Sequence, residues 1–343
     1  TVWYYSIFFP VVEILSSITL AVIVWYGGLT AAVEGATSFG VITSFIYMTN
    51  MLFRPLRQIA DKFKTLQMGM VAAERVFVVL DEDAAEVDTG TLEIEHFKGN
   101  IKFDNVYFRY LKDEPVLRGI SFEVKQGETV AVVGATGAGK STIINLLSRF
   151  YRINSGSITI DGIDINQIKL ESLRNQISVV LQDVFLFSDS ILNNITLNNK
   201  DIGLEEVTEA AKVIGIHDFI MTLPDNYNYN VKERGGMLSV GQRQLIAFLR
   251  AYVSKPAILV LDEATSSIDA QSERLIQKAT NTITQNRTSI IIAHRLATIK
   301  KADKIIVMEK GKIVEQGTHA ELLKQKGYYS KLYEIQFETA QAS

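Results

Sequence analysis

The sequence predicts all-α transmembrane helices followed by an α/β domain that carries an antiparallel β subdomain and an inserted helical subdomain. Three observations predict this class. Residues 2–26 are apolar over about the 20 positions that a membrane-spanning helix needs. Beyond residue 100, short apolar runs of strand length alternate with helical patterns, as in a parallel sheet covered by helices. Within that part, Gly134-Ala135-Thr136-Gly137-Ala138-Gly139-Lys140-Ser141-Thr142 fits the G-x-x-x-x-G-K-[ST] pattern between an apolar strand, 130–133, and a helical run, 142–147.

The chain has 343 residues, enough for two domains of ordinary size. Its net charge of −3 carries no nucleic-acid footprint, so no nucleic-acid partner is expected. Cysteine is absent, which excludes disulfides and thiolate metal sites. His96, His217, His294 and His319 are scattered and show no metal-ligand spacing. The chain opens at Thr1 directly in apolar sequence, without a basic n-region or a cleavage site. It reads as a fragment of a longer protein rather than as a signal peptide.

The first expected span, residues 2–26, has Trp3, Tyr4 and Tyr5 at one end and Trp25 and Tyr26 at the other, an aromatic belt. Gly27-Gly28 is expected to end it. Pro10 can kink it, and Glu13 is costly in lipid. Glu13 is either a functional carboxylate or one paired with a polar group on helices upstream, and the residues leave both open. Residues 39–56 are the second expected span, shorter and more polar through Thr43, Ser44, Thr49 and Asn50. Arg54, Arg57, Lys62 and Lys64 follow, so that end is expected in the cytoplasm. The helical pattern then continues to about Leu80, which makes residues 1–80 a membrane part with a helical extension. Residues 81–90 are acidic and lack apolar periodicity, and 81–98 read as a linker.

The soluble domain is expected over 99–343. Strands at 101–106 and 120–124 form its antiparallel ladder, and Gln126-Gly127 turns the chain into the strand before the glycine-rich loop. Strands at 157–160 and 177–181 follow. Residues 184–251 break the alternation with mostly helical pattern and read as the inserted subdomain. Strands at 258–261, 289–292, 304–308 and 312–315, with a helix at 271–283, resume it. Thr318 and Glu321 form a capping box for the last helical stretch.

The glycine-rich loop turns backbone N–H groups around a polyphosphate, and the following helix adds its dipole. Lys140 would reach the β- and γ-phosphates and Ser141 would ligate Mg²⁺. The strand 258–261 ends in Asp262 and Glu263. Asp262 can hold Mg²⁺ through water, and Glu263 can polarise a water towards the γ-phosphate.

Between these two elements lies Leu238-Ser239-Val240-Gly241-Gln242, followed by a helix. With it, the soluble part resembles an ABC ATPase domain, and residues 1–80 resemble the last two helices of an ABC exporter half-transporter. The resemblance implies ATP and Mg²⁺ as cofactors, with the loop residues 134–142 binding ATP. It also implies that Tyr110 stacks on adenine, that Gln182 touches Mg²⁺ and reports the nucleotide state, and that Asp269 belongs to the D-loop. His294 then contacts the γ-phosphate, Glu233 faces the transmembrane helices, and Ser239, Gly241 and Gln242 close on ATP from a second domain. Glu263, His294, Gln182 and Lys140 would carry catalysis.

The implied partners are a second half-transporter, identical or different, membrane lipid and an amphipathic or lipid-like transported substrate. The implied location is a bacterial inner membrane with the ATPase domain in the cytoplasm. Val240 departs from the family, which most often has glycine there. Two other readings on the same scaffold stay open at this level: an ATP-gated channel or regulator, and a soluble mechanical ATPase, against which the apolar spans argue.

Overall fold

The computed structural model describes residues 2–33, 39–82, 88–262, 270–293 and 295–335. The chain divides into two compact units, Thr1–Val87 and Asp88–Ser343.

The first unit is a pair of long helices, α1 (Val2–Val33) and α2 (Phe39–Leu80), packed on each other. Gly27-Gly28 does not end α1, which runs seven residues beyond Tyr26. The reason is close packing. A Cβ on Gly27 would stand 2.9 Å from Ile42 of α2, so glycine here serves helix contact rather than a turn. The Thr30 hydroxyl donates back to the carbonyls of Tyr26 and Gly27 and carries the helix across. The helix also continues on both sides of Pro10.

Among the described residues one stretch, Pro10–Val33, is long and apolar enough to cross a membrane. The second expected span falls short of that measure. Thr43, Ser44, Thr49 and Asn50 dilute its hydropathy, and each satisfies its side chain by donating to a backbone carbonyl four residues earlier. Helix α2 runs unbroken through Pro55 to Leu80.

In the second unit the order is β1 (Ile101–Arg109), β2 (Pro115–Val124), β3 (Thr129–Gly134), α3 (Lys140–Leu147), β4 (Ser155–Ile160), β5 (Ile163–Asp164), α4 (Leu170–Asn175) and β6 (Ile177–Val180). Helices α5 (Ile191–Thr196), α6 (Leu204–Ile214), α7 (His217–Met221) and α8 (Val240–Val253) follow before the sheet resumes. Then come β7 (Ile258–Asp262), α9 (Ala270–Thr284), β8 (Thr288–Ile292), α10 (Leu296–Lys301), β9 (Lys304–Glu309), β10 (Lys312–Gly317), α11 (His319–Gln325) and α12 (Tyr328–Tyr333).

Two sheets result. One is antiparallel, in the order β2-β1-β4-β5. The other has the order β10-β9-β3-β8-β7-β6, with β10 antiparallel at its edge and every other neighbour parallel.

The strands of the larger sheet are continuous apolar runs because both faces are covered. On one face Ala131, Val133, Leu259, Leu261, Ile291 and Val307 share a core with the helical subdomain and with α9 to α12. On the other, Val130, Val132, Val260, Ile290, Ile292 and Ile306 meet α3 and the antiparallel sheet. Alternation along single strands thus feeds two cores. The parallel strands all point one way, so the ends of β3, β6 and β7 open on one edge, where α/β sheets bind ligands.

Candidate functional site

Strand β3 ends at Gly134, and the chain loops through Ala135, Thr136 and Gly137, all exposed, before Ala138 and Gly139 bury it again. Gly139 is the N-cap of α3 with φ +100, a left-handed conformation. A Cβ there would stand 2.8 Å from the Leu117 side chain. Lys140, the first residue of α3, is buried, and its Nζ donates to the carbonyls of Gly134 at 2.8 Å and Ala135 at 3.0 Å. The ammonium is therefore held inside the loop's curve. Burial pushes its pKa below the ordinary lysine value, and the Asp262 carboxylate opposes that shift.

Ser141, next on the helix, donates its hydroxyl to Asp262 Oδ2 at 3.3 Å. Asp262 closes β7, so loop and strand end converge although 121 residues separate them. Gln182 lies exposed two residues past β6, which neighbours β7 on the same edge. A hydroxyl and a carboxylate oxygen side by side form a hard oxygen donor set that suits Mg²⁺ bound mainly by phosphate and water. Among the described residues no group of three His, Asp or Glu side chains could hold a metal by itself.

Tyr110 follows β1 with its ring partly exposed. Its hydroxyl donates to Thr142 Oγ1 at 3.3 Å and accepts from Asn145 Nδ2 at 3.0 Å, which ties the ring to α3 just behind the loop. Sequence reasoning missed Asn145. The available signal was its position three residues after Thr142, on the same helix face.

The segment Ser239-Val240-Gly241-Gln242 lies in the helical subdomain. Ser239 is the N-cap of α8, where its side chain accepts from the Gln242 N–H while the Gln242 side-chain Oε1 accepts from the Ser239 N–H. The expectation that the helix follows the whole segment is thus adjusted: Ser239 precedes it, whereas Val240, Gly241 and Gln242 already form its first turn. Val240 begins the helix with its side chain 47% exposed, so the larger residue meets no packing conflict. Glu263, Asp269 and His294 lie outside the described residues, as does the D-loop. Glu233 is exposed in a short 3-10 turn.

One further cluster had no sequence signal. Arg149 is fully buried, its guanidinium donating to the carbonyls of Ile165 and Ile168 and to Asp88 Oδ1 at 2.6 Å. Asp88 also accepts from the N–H groups of Leu170 and Gly90. The segment that follows is bonded to the ATPase-like unit through Thr91, Leu92 and Ile94.

Residues 117–266 match the model of the ABC transporter family. Over 329 residues the chain is 45% identical to an ATP-dependent lipid A-core flippase of Idiomarina loihiensis, covering 95% of this chain and 56% of that protein. It is 43% identical over 323 residues to a fatty acid ABC transporter ATP-binding/permease protein of Mycobacterium bovis, covering 94% and 51%. The solved structure of a bacterial Atm1-family ABC exporter with ATP bound superposes with a TM-score of 0.70 and 38% identity, over 96% of this chain and 57% of that one. The chain thus spans little more than half the length of these relatives. Its second unit contains an ABC transporter ATP-binding domain of mixed α/β sheets, and nearly the whole chain is similar to part of these ABC transporters.

Proposed function

We propose that this chain is the ATP-hydrolysing and pore-adjacent part of an ABC exporter. The observation that carries the reading is the convergence of Lys140, Ser141 and Asp262 at the carboxyl edge of the parallel sheet. A buried ammonium encircled by a glycine-rich loop, next to a hydroxyl–carboxylate pair, suits a nucleotide polyphosphate with its cation.

In this reading the backbone of residues 134–142 surrounds the phosphates, and Lys140 leaves the Gly134 and Ala135 carbonyls to bind the β- and γ-phosphates. Ser141, Gln182 and, through water, Asp262 would hold Mg²⁺, which when bound neutralises charge on the phosphate oxygens. Tyr110 stacks on adenine. Glu263 takes a proton from the attacking water, and His294 contacts the γ-phosphate.

The chain has one phosphate loop and one signature segment, which supports a dimer of half-transporters with each ATP between a loop and the partner's Ser239, Gly241 and Gln242. Because the Ser239 oxygen already accepts from Gln242, its O–H remains available to donate to a phosphate. Asp269 would lie at the same junction. Helices α1 and α2 both cross the membrane in this reading, with the ATPase unit in the cytoplasm beneath a bacterial inner membrane. Closure of two ATPase units on ATP drives the membrane helices through differential affinity for the closed state. An amphipathic or lipid-like cargo is supported by the names of the lipid A-core flippase and fatty acid relatives.

The test is Glu263→Gln in the intact protein. ATP binding is expected to persist while turnover falls by about 100-fold or more, the contribution of a positioned general base. Undiminished ATPase activity would remove Glu263 from the mechanism.

A further inference from the structure

Tyr110 sits in a cluster of three aromatic rings. Its ring meets Phe108 at 4.7 Å and Tyr151 at 4.9 Å between centroids, both at 87°. Phe108 and Tyr151 are themselves 5.8 Å apart. Were they on opposite faces of Tyr110, their centroids would stand nearly as far apart as the two separations added together. The shorter distance shows that the two rings do not sandwich Tyr110, which stays 45% exposed beside them.

Phe108 is a buried strand residue, whereas Tyr151 is 48% exposed. Tyr151 is nevertheless presented on a stiff turn. It follows the buried Arg149, the Phe150 N–H bonds the Asn145 carbonyl, and Asn154 bonds β1 at Tyr107 and Arg109.

We propose that Tyr151 is a positioning residue for nucleotide-base recognition. It holds the Tyr110 ring edge-to-face, while Thr142 and Asn145 hold the Tyr110 hydroxyl. Together they fix the plane on which the base stacks before the base arrives. Edge-to-face pairs contribute beyond simple burial, and a prearranged plane lowers the ordering cost of binding. The contact needs the ring and not its hydroxyl. The inference rests on the reading of Tyr110 as the adenine-stacking residue.

The test compares ATP with inorganic tripolyphosphate, which carries the phosphates without the base. Both are titrated into the 343-residue chain in detergent micelles with a chelator present to prevent hydrolysis. Tyr151→Ala is expected to weaken ATP binding roughly two- to tenfold and to leave tripolyphosphate affinity unchanged. Tyr151→Phe is expected to restore ATP affinity. Equal loss for both ligands, or no loss for either, would overturn the proposal, as would failure of the phenylalanine variant to rescue. Tyr110→Ala separates the two levels. If it abolishes the preference for ATP while Tyr151→Ala is silent, only this inference falls. If it leaves the preference intact, the base does not stack on Tyr110 and both readings fall.

Discussion

Asp88 and Arg149 show how much one ion pair can hold. The Arg149 guanidinium is shielded from solvent and has its charge balanced by Asp88, whose carboxylate also accepts two backbone N–H groups. These hydrogen bonds, that from Leu170 foremost and that from Arg149 next, draw the Asp88 pKa from 3.8 down to about 2. A depressed carboxylate stabilises the fold above its unfolded pKa and loses that effect as pH falls through its folded value. Asp88→Asn is therefore expected to lower the urea midpoint at neutral pH, with the gap to wild type closing as pH falls from 3.8 towards about 2. A gap unchanged down to about pH 3 would show that the carboxylate charge is not what matters. No sequence pattern announces this pair, because its members stand 61 residues apart and one lies in an acidic stretch that looks solvated. The loop around Lys140 was legible for the opposite reason. Its chemistry is written in consecutive residues whose spacing is set by backbone geometry.

Elements were readable where a local rule decides them and misread where a tertiary contact does. The capping box at Thr318 is of the first kind. Its side chain accepts from the Glu321 N–H, and Glu321 accepts in return from the Thr318 N–H. Thr318→Ala removes one of these bonds at the start of α11, far in sequence from the phosphate loop. The expected cost is about 1 kcal/mol, or a fall of roughly 2–4 °C in Tm for a unit of this size, with ATP affinity untouched. A melting temperature equal to wild type would mean that α11 frays without consequence for the unit. The Gly27-Gly28 step is of the second kind. On local rules a glycine pair stops a helix, yet here the neighbouring helix needs the space that the missing side chain leaves. The first turn of α8 stands between these cases. Ser239 and Gln242 mark a helix start by their spacing alone, whereas the exposure of Val240 depends on what surrounds the subdomain.

At the scale of the molecule, the two cores on either side of the six-stranded sheet follow from strand alternation, and the ATP-binding part was accordingly legible. The helical unit was less so. A span is defined by its solvent and by neighbouring helices, and α2 carries enough hydroxyls and amides to blur its hydropathy. Whether α2 crosses the membrane has a direct physical consequence. If α1 and α2 both cross, the end of α1 at Val33 and the ATPase unit lie on opposite sides; if α1 alone crosses, they share a side. The chain contains no cysteine, so single cysteines report without background. Val33 is 78% exposed at the end of α1, and Lys125 is exposed on the turn before β3. The basic residues Arg54, Arg57, Lys62 and Lys64 favour the cytoplasm for the far half of α2. In intact cells a membrane-impermeant maleimide is therefore expected to label Val33→Cys and to reach Lys125→Cys only after the membrane is permeabilised. Labelling of neither before permeabilisation would put α2 on the cytoplasmic surface. The polar residues Thr43, Ser44, Thr49 and Asn50 would then face water or protein rather than the membrane interior, and the reading in which both helices cross the membrane would have to be abandoned.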